Sequence, residues 1–456
     1  MTMNTNSSKR RSHQVVRRAL VLAAGTTGML LAVSPVSAKE QSGQAKITLS
    51  PKFQPAYIAL AKQIEADKTR PDLAPAQAKA KAATDNASRN AAAAELGGML
   101  SAEKAQLAAA AALAATADDR FMVGQLELQL GTVAVDNSLQ RQGLLDMLAS
   151  GKSNPADVGK FQFYIGNFAY SAGDYPGAIT AFQASTATGY HDNDVEVLLA
   201  DSYLKNHQID KGLPALQSVI DRTKAAGQPV PVGWYRIGVV AAYNAKLVGP
   251  ALSFGKGLIL EEPGKKNWGL LLEVVRSVAH YPAQDELDLM RLMGRTNSYA
   301  EKQDFLEYIQ SADARRLPGE VLDVIAAGTS SGMLSGGDPT ISEAKSIANA
   351  RVTADRASLP SLERDARAPG ANAATASAAG DALLSYGKSA DAIAMYQIAL
   401  GKPGVDTPRV LTRLGIAQTD SGDFAGAQAT FAKITGPREP LGQLWSIYAA
   451  EKAAGK

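Results

Sequence analysis

Three positions recur along the chain at fixed offsets: a small residue, another twelve residues on, and a bulky one at sixteen. Gly166, Ala178 and Phe182 form one set, and Ala200, Gly212 and Leu216 repeat it 34 residues later. Gly380, Ala392 and Tyr396 form another, with Gly415, Ala427 and Phe431 following 35 residues on. Gly238 and Phe254 keep the sixteen-residue step although Pro250 stands at the middle position, and Trp234 and Trp268 are also 34 apart. A period near 34 belongs to stacked helical hairpins, none of which buries its apolar face alone. Such a chain is expected to be all-α and to present an extended curved surface. Strand signals are almost absent.

The leader changes what the charge means. Residues 1–38 read as a secretory signal: Lys9, Arg10, Arg11, Arg17 and Arg18 make a basic start, and Ala19 to Val33 is an apolar run of 15 residues. That run is short for a membrane span of roughly 20 residues, and Val36-Ser37-Ala38 offers a small-residue cleavage site. The alternatives are an uncleaved anchor and, from Arg10-Arg11, a twin-arginine route that the following residues fit poorly. Five of the 47 basic residues lie in this leader, which leaves 42 against 44 acidic groups and moves the formal charge from +3 to −2. A nucleic-acid binder wants a concentrated basic face, so nothing here points to one. Cysteine is absent, which excludes disulfides, thiol chemistry and a lipidated N-terminal Cys. With no later apolar run of membrane length, the expected setting is the bacterial periplasm.

Residues 39–118 form an alanine-rich N-terminal region. Phe53, Tyr57, Leu60 and Ile64 have helical spacing and Pro71 ends that helix. Ala74 to Ala117 reads as two helices separated near Gly97-Gly98, since alanine favours helix but offers little area to bury. Disorder is the competing reading. Residues 119–280 make a repeat array that opens with a longer hairpin over Arg120–Ser150 and is regular from Lys160 to about His280. Residues 281–370 are helical in pattern but keep the period poorly, with breaks expected at Thr329–Pro339 and Ala366–Ala371. Residues 371–456 restore the repeat and finish in a closing helix over Leu441–Ala450 that covers the last apolar face.

The hairpin turns are legible too. Gly173-Asp174-Tyr175 and Gly422-Asp423-Phe424 each lie seven residues after a repeat Gly. Gly supplies the positive φ that ends one helix, and Asp caps the next. Pro176 sits in a first helical turn, where its missing N–H costs little. His207 occupies the position equivalent to Gly173, and His is among the side chains that tolerate positive φ better than most. Small residues at Gly166 and Ala178 allow two helices to approach closely, leaving Phe182 to fill the gap toward the next hairpin.

On these residues the segments Gly166–Ser185 and Gly415–Ile434 resemble tetratricopeptide repeats, and Trp234, Ile237, Gly238, Phe254 and Pro263 fit the same pattern. About half the mature chain is covered, by four to six repeats. The resemblance implies a right-handed superhelix of helix pairs whose inner groove is lined by the first helices. The groove-facing candidates it implies are Lys160, Phe163, Asn167 and Tyr170 from one repeat, Asp194, Asp201 and Lys205 from the next, and Tyr235 and Tyr243 from a third. Members that grip a terminal carboxylate use Lys, Asn and Arg on these faces. Asn167 is present here, but Phe163 and Val197 stand where such a clamp needs other residues. An extended peptide or a partner's helix suits this lining better.

Catalytic patterns fail on their context. Gly328-Thr329-Ser330-Ser331-Gly332 has the spacing of a hydrolase nucleophile elbow, which needs a preceding strand and a later His; the last His is His280. Gly151-Lys152-Ser153 and Gly387-Lys388-Ser389 lack the earlier Gly of a phosphate loop. His191 with Asp192, Asp194 and Glu196 falls in a connection between hairpins, where a solvated loop is the simpler reading. Glu261-Glu262 is an ordinary helix end. The expectation is a non-catalytic protein- or peptide-binding scaffold of the cell envelope with no metal and no cofactor. Two alternatives stand beside it: an accessory subunit of an outer-membrane assembly or polysaccharide-export machine, and a peptidoglycan-acting enzyme with a functional Glu in Tyr281–Leu359.

Overall fold

A computed structural model describes residues 47–278 and 281–456, so the leader and His280 lie outside the described residues. Every regular element among the described residues is helical. The chain forms two compact units that meet in sequence at Pro229 and Val230. That division falls inside the stretch 119–280, where the spacing alone suggested one array.

The first unit contains α1 (Phe53–Asp67), α2 (Ala74–Ala82), α3 (Asn86–Met99), α4 (Ser101–Leu113), α5 (Ala117–Val133), α6 (Asn137–Ala149), α7 (Pro155–Ala172), α8 (Tyr175–Ala187), α9 (Val195–Lys205) and α10 (Ile209–Ala225). The alanine-rich region is therefore three helices rather than two. The Gly97-Gly98 break is real but small, because α3 runs through both glycines to Met99. The additional break comes at Asp85, whose side chain accepts the amide of Ser88 at 2.8 Å and starts α3 anew. Sparse bulky residues suffice to hold this part: Leu60, Ile64, Leu73, Leu96 and Leu107 pack with Leu126 and Leu130 of α5.

In the α5–α6 hairpin two glycines bring backbones into contact. A Cβ on Gly124 would lie 2.6 Å from the carbonyl oxygen of Gly143, and one on Gly143 would lie 2.5 Å from that of Gly124. The α7–α8 hairpin uses a different solution. There the ring of Phe182 lies directly on Gly166, where a Cβ would come within 2.6 Å of it. Phe182 is thus first a contact within its own hairpin, and it also reaches Val195 of α9.

The second unit contains α11 (Val232–Asn244), α12 (Val248–Glu261), α13 (Lys265–Val278), α14 (Ala283–Arg295), α15 (Lys302–Ala312), α16 (Pro318–Ser330), α17 (Pro339–Arg367), α18 (Ala373–Ser385), α19 (Ser389–Leu400), α20 (Thr407–Asp420), α21 (Phe424–Phe431), a 3-10 turn (Gly436–Arg438) and α22 (Glu439–Ala453). The same pairing of glycine and ring recurs: Gly238 under Phe254, Gly380 under Tyr396 and Gly415 under Phe431, with virtual Cβ distances of 2.4, 2.6 and 2.4 Å. Gly173 and Gly422 adopt φ of +80° and +86°, His207 takes +59°, and Asp174 and Asp423 cap the helices that follow.

The closing helix does more than cover an apolar face. α22 also packs against α12, α13 and α14, so this unit curls until its end meets its beginning. Trp445 is fully buried there beside Phe431 and Tyr448. The Trp268 indole N–H donates to Glu451 at 2.7 Å across 183 residues. Among the described residues no helix is long and apolar enough to cross a membrane.

Candidate functional site

The groove candidates separate once their burial is known. In the first unit Lys160, Asn167, Tyr170 and Lys205 are half-buried and Asp194 is exposed, whereas Phe163 and Asp201 are buried. Phe163 stacks among Tyr164, Phe182 and Tyr190, so it belongs to the hairpin core and not to an open face. Three candidates come together. Tyr170 of α7 donates its hydroxyl hydrogen to Asp201 of α9, and Lys205 reaches both. The Lys205 ammonium also lies 4.3 Å from the centre of the Tyr170 ring. Burial and the Asp201 carboxylate push the Tyr170 hydroxyl well above its ordinary pKa, so it stays a proton donor. This cluster ties neighbouring first helices together and consumes its own charges.

In the second unit Tyr243 is half-buried, but Tyr235 is buried with its ring on Gly257, where a Cβ would meet it at 2.1 Å. Close helix packing, not groove lining, explains that tyrosine. Likewise the Gly328–Gly332 stretch ends helix α16 and follows no strand, and His191 rests beside Glu196 at 3.4 Å.

A larger concavity lies in the second unit, in the stretch where the period is weakest. It encloses about 640 Å³. Its wall comes from the first helices of four successive pairs: Gly294 and Arg295 of α14, Asp323, Val324 and Ala327 of α16, Leu384 and Ser385 of α18, and Asp420 of α20. Tyr299, Phe305 and Tyr308 border the cleft from the buried core, and the first two rings lie 4.1 Å apart. Asn297, Ser331, Gly387 and Ser389 add small and polar groups.

Most of the charge here is already paired. Arg291 donates to both oxygens of Glu320 at 2.8 and 2.7 Å, and Tyr308 donates to the same carboxylate at 2.8 Å. Burial alone would raise the pKa of Glu320, but Arg291 and the Tyr308 hydrogen bond hold it below the usual carboxylate range. Arg295 grips Asp420 through two nitrogens and lies over the Trp445 ring. Behind this lining, Asp288 receives Arg291, Arg413 and Arg438 at 3.0, 3.2 and 2.8 Å. Full burial opposes its ionisation, yet the three guanidinium groups lower its pKa to about 2. Residues from α14, α20 and the Gly436–Arg438 turn meet at this one carboxylate.

Sequence spacing did not find this cleft because α14–α17 lack the Gly-to-aromatic step that marks the other hairpins. The available signal was compositional: Arg291, Arg295, Glu320 and Asp323 stand on helices whose other faces are apolar.

A family model described as tetratricopeptide repeat matches residues 377–440. No curated protein matches the chain. Among solved structures, it is similar to the pentatricopeptide repeat protein PPR10 in complex with an 18-nt psaJ RNA element, at 14% identity and a TM-score of 0.28. That match covers 87% of this chain and 66% of the other. A cysteine-to-serine variant of PPR10 with the same RNA element matches with identical figures. The chain spans slightly under two thirds of their length. The all-helical hairpins and the glycine–ring packing at Gly380 and Gly415 agree with the tetratricopeptide-repeat match over residues 377–440, and the fold is a tetratricopeptide-like array of helical hairpins.

Proposed function

We propose that this protein is an exported, non-catalytic interaction scaffold of the bacterial cell envelope that holds a protein or peptide segment in the cleft of its second unit. The observation that carries this reading is the concave wall made by the first helices of four successive pairs, with a volume of about 640 Å³. That volume falls in the range of roughly 300–1,000 Å³ typical of ligand sites. Polar side chains and glycine backbone suit an extended polypeptide, which brings amide groups and side chains in alternation.

The charge pattern speaks against Glu320 as a glycan-cleaving acid. A glycan-cleaving acid must hold a proton to donate. Glu320 is kept ionised by a two-pronged arginine and a tyrosine hydroxyl. The lining carries three carboxylates against two guanidinium groups, which also disfavours a phosphate backbone.

The test is site-specific photo-crosslinking in cells, with a photoreactive residue at Ser389 of the full chain. A protein adduct that disappears when Ala327→Trp fills the cleft supports the reading. An adduct indifferent to that substitution, or turnover of cell-wall glycan by the purified protein, defeats it. Retention of the protein in the cytoplasm, with residues 1–38 uncleaved, defeats the export part.

A further inference from the structure

Five charged side chains line the second-unit cleft, and four of them have partners. Arg291 and Glu320 hold each other, and Arg295 and Asp420 do the same. Asp323 is the exception. It is exposed on α16, one helical turn after Glu320, and among the described residues it makes no ion pair or hydrogen bond. Arg356 attracts it only from a distance, being placed over the Tyr386 ring with 5.2 Å from its guanidinium carbon to the ring centre. Partial burial and the nearby Glu320 charge raise the Asp323 pKa, so a cation arriving there would relieve an existing repulsion. Tyr299, Phe305 and Tyr308 lie in the same cleft. With three carboxylates against two guanidinium groups and one carboxylate left unpaired, the cleft is complementary to a positively charged side chain.

We infer that the cleft selects a polypeptide segment bearing a lysine or arginine side chain, and that Asp323 is the carboxylate that receives it. This rests on the cleft being the partner site. It also specifies the occupant's chemistry, which the fold alone does not. An acidic peptide or a nucleic acid would place further negative charge against Asp323 and Glu320. Neither lining arginine is free to compensate.

The probe is pentalysine amide, titrated into the full-length protein at low salt by calorimetry. Penta(acetyl-lysine) amide, pentaglutamate amide and oligouridylate serve as neutral and anionic comparisons. The expected result is saturable pentalysine binding that Asp323→Asn weakens about tenfold or more, the size of a charge-assisted hydrogen bond. Ala327→Trp should abolish it. Glu343→Gln, at an exposed carboxylate on α17, should leave it unchanged. Equal weakening by Glu343→Gln would show diffuse attraction only and overturn the inference. So would equal binding of the acetylated peptide, pentaglutamate or oligouridylate. A cellular adduct at Ser389 that survives Asp323→Asn would leave the scaffold reading standing and remove this one.

Discussion

Trp445 donates its indole N–H to the backbone carbonyl of Asp288, 3.0 Å away and 157 residues earlier in the chain. The contact places the closing helix α22 against α14 and seals the carboxylate on which Arg291, Arg413 and Arg438 converge. Trp445→Ala should remove both the ring and its hydrogen bond. A loss of about 3–5 kcal/mol is expected for truncating a buried aromatic of this size. All three tryptophans lie in the second unit, so urea unfolding followed through Trp234 and Trp268 reads it directly. A change within about 0.5 kcal/mol, the range of ordinary surface substitutions, would mean that α22 is only a cover.

Acid should unfold the second unit through Asp288. Its folded pKa of about 2 lies below the unfolded value, which is about 3.9. The stability it contributes is therefore present above that unfolded value and is lost as pH falls from about 4 through about 2. Asp288→Asn should flatten this limb in tryptophan fluorescence. It should also cost about 3–5 kcal/mol at neutral pH, because three buried guanidinium groups lose a partner.

Gly415→Ala tests the repeat packing. The added Cβ would meet the Phe431 ring at 2.4 Å, and overpacking of this kind typically costs about 1–3 kcal/mol. Gly269 lies within α13 with nothing inside 4 Å of a virtual Cβ. Gly269→Ala should instead stabilise, by roughly 0.5–1 kcal/mol from helix propensity. Opposite signs in chemical denaturation are the expected outcome, and combining Gly415→Ala with Phe431→Leu should recover part of the loss.

Alkaline sensitivity should come from Glu127 in the first unit. Burial, then the neighbouring Asp146, raises its pKa to about 8. A carboxyl with a raised folded pKa contributes stability below its unfolded value, and that contribution is lost as pH rises through about 8. Thermal melts by circular dichroism should show stability declining from about pH 4.5 to 8, with Glu127→Gln removing the slope.

Much of the fold was legible in the local pattern. The Gly-to-ring steps at 166/182, 238/254, 380/396 and 415/431 each became a ring seated on a glycine. His207 was recognised as a turn residue because so few side chains accept a φ of +59°. The third N-terminal helix escaped notice because one capping Asp85 outweighed an otherwise unbroken run of helix formers. Phe163 and Tyr235 were assigned to an open face because periodicity places a residue on a side of its helix but does not say how deep that side lies.

The cleft was illegible for a related reason. Arg295 and Asp420 are 125 residues apart, as are Asp288 and Arg413, and no local pattern encodes a pairing at that range. By itself the sequence determined the helices, their turns and the hairpin as the repeating unit. All of these depend on backbone conformation and neighbours within about one repeat. Only the tertiary structure decided how far the second unit curls, which charges it neutralises and which carboxylate of the cleft it leaves unpaired among the described residues. Those outcomes depend on distances closed by packing, where burial makes an ion pair obligatory in one place and leaves Asp323 to solvent in another.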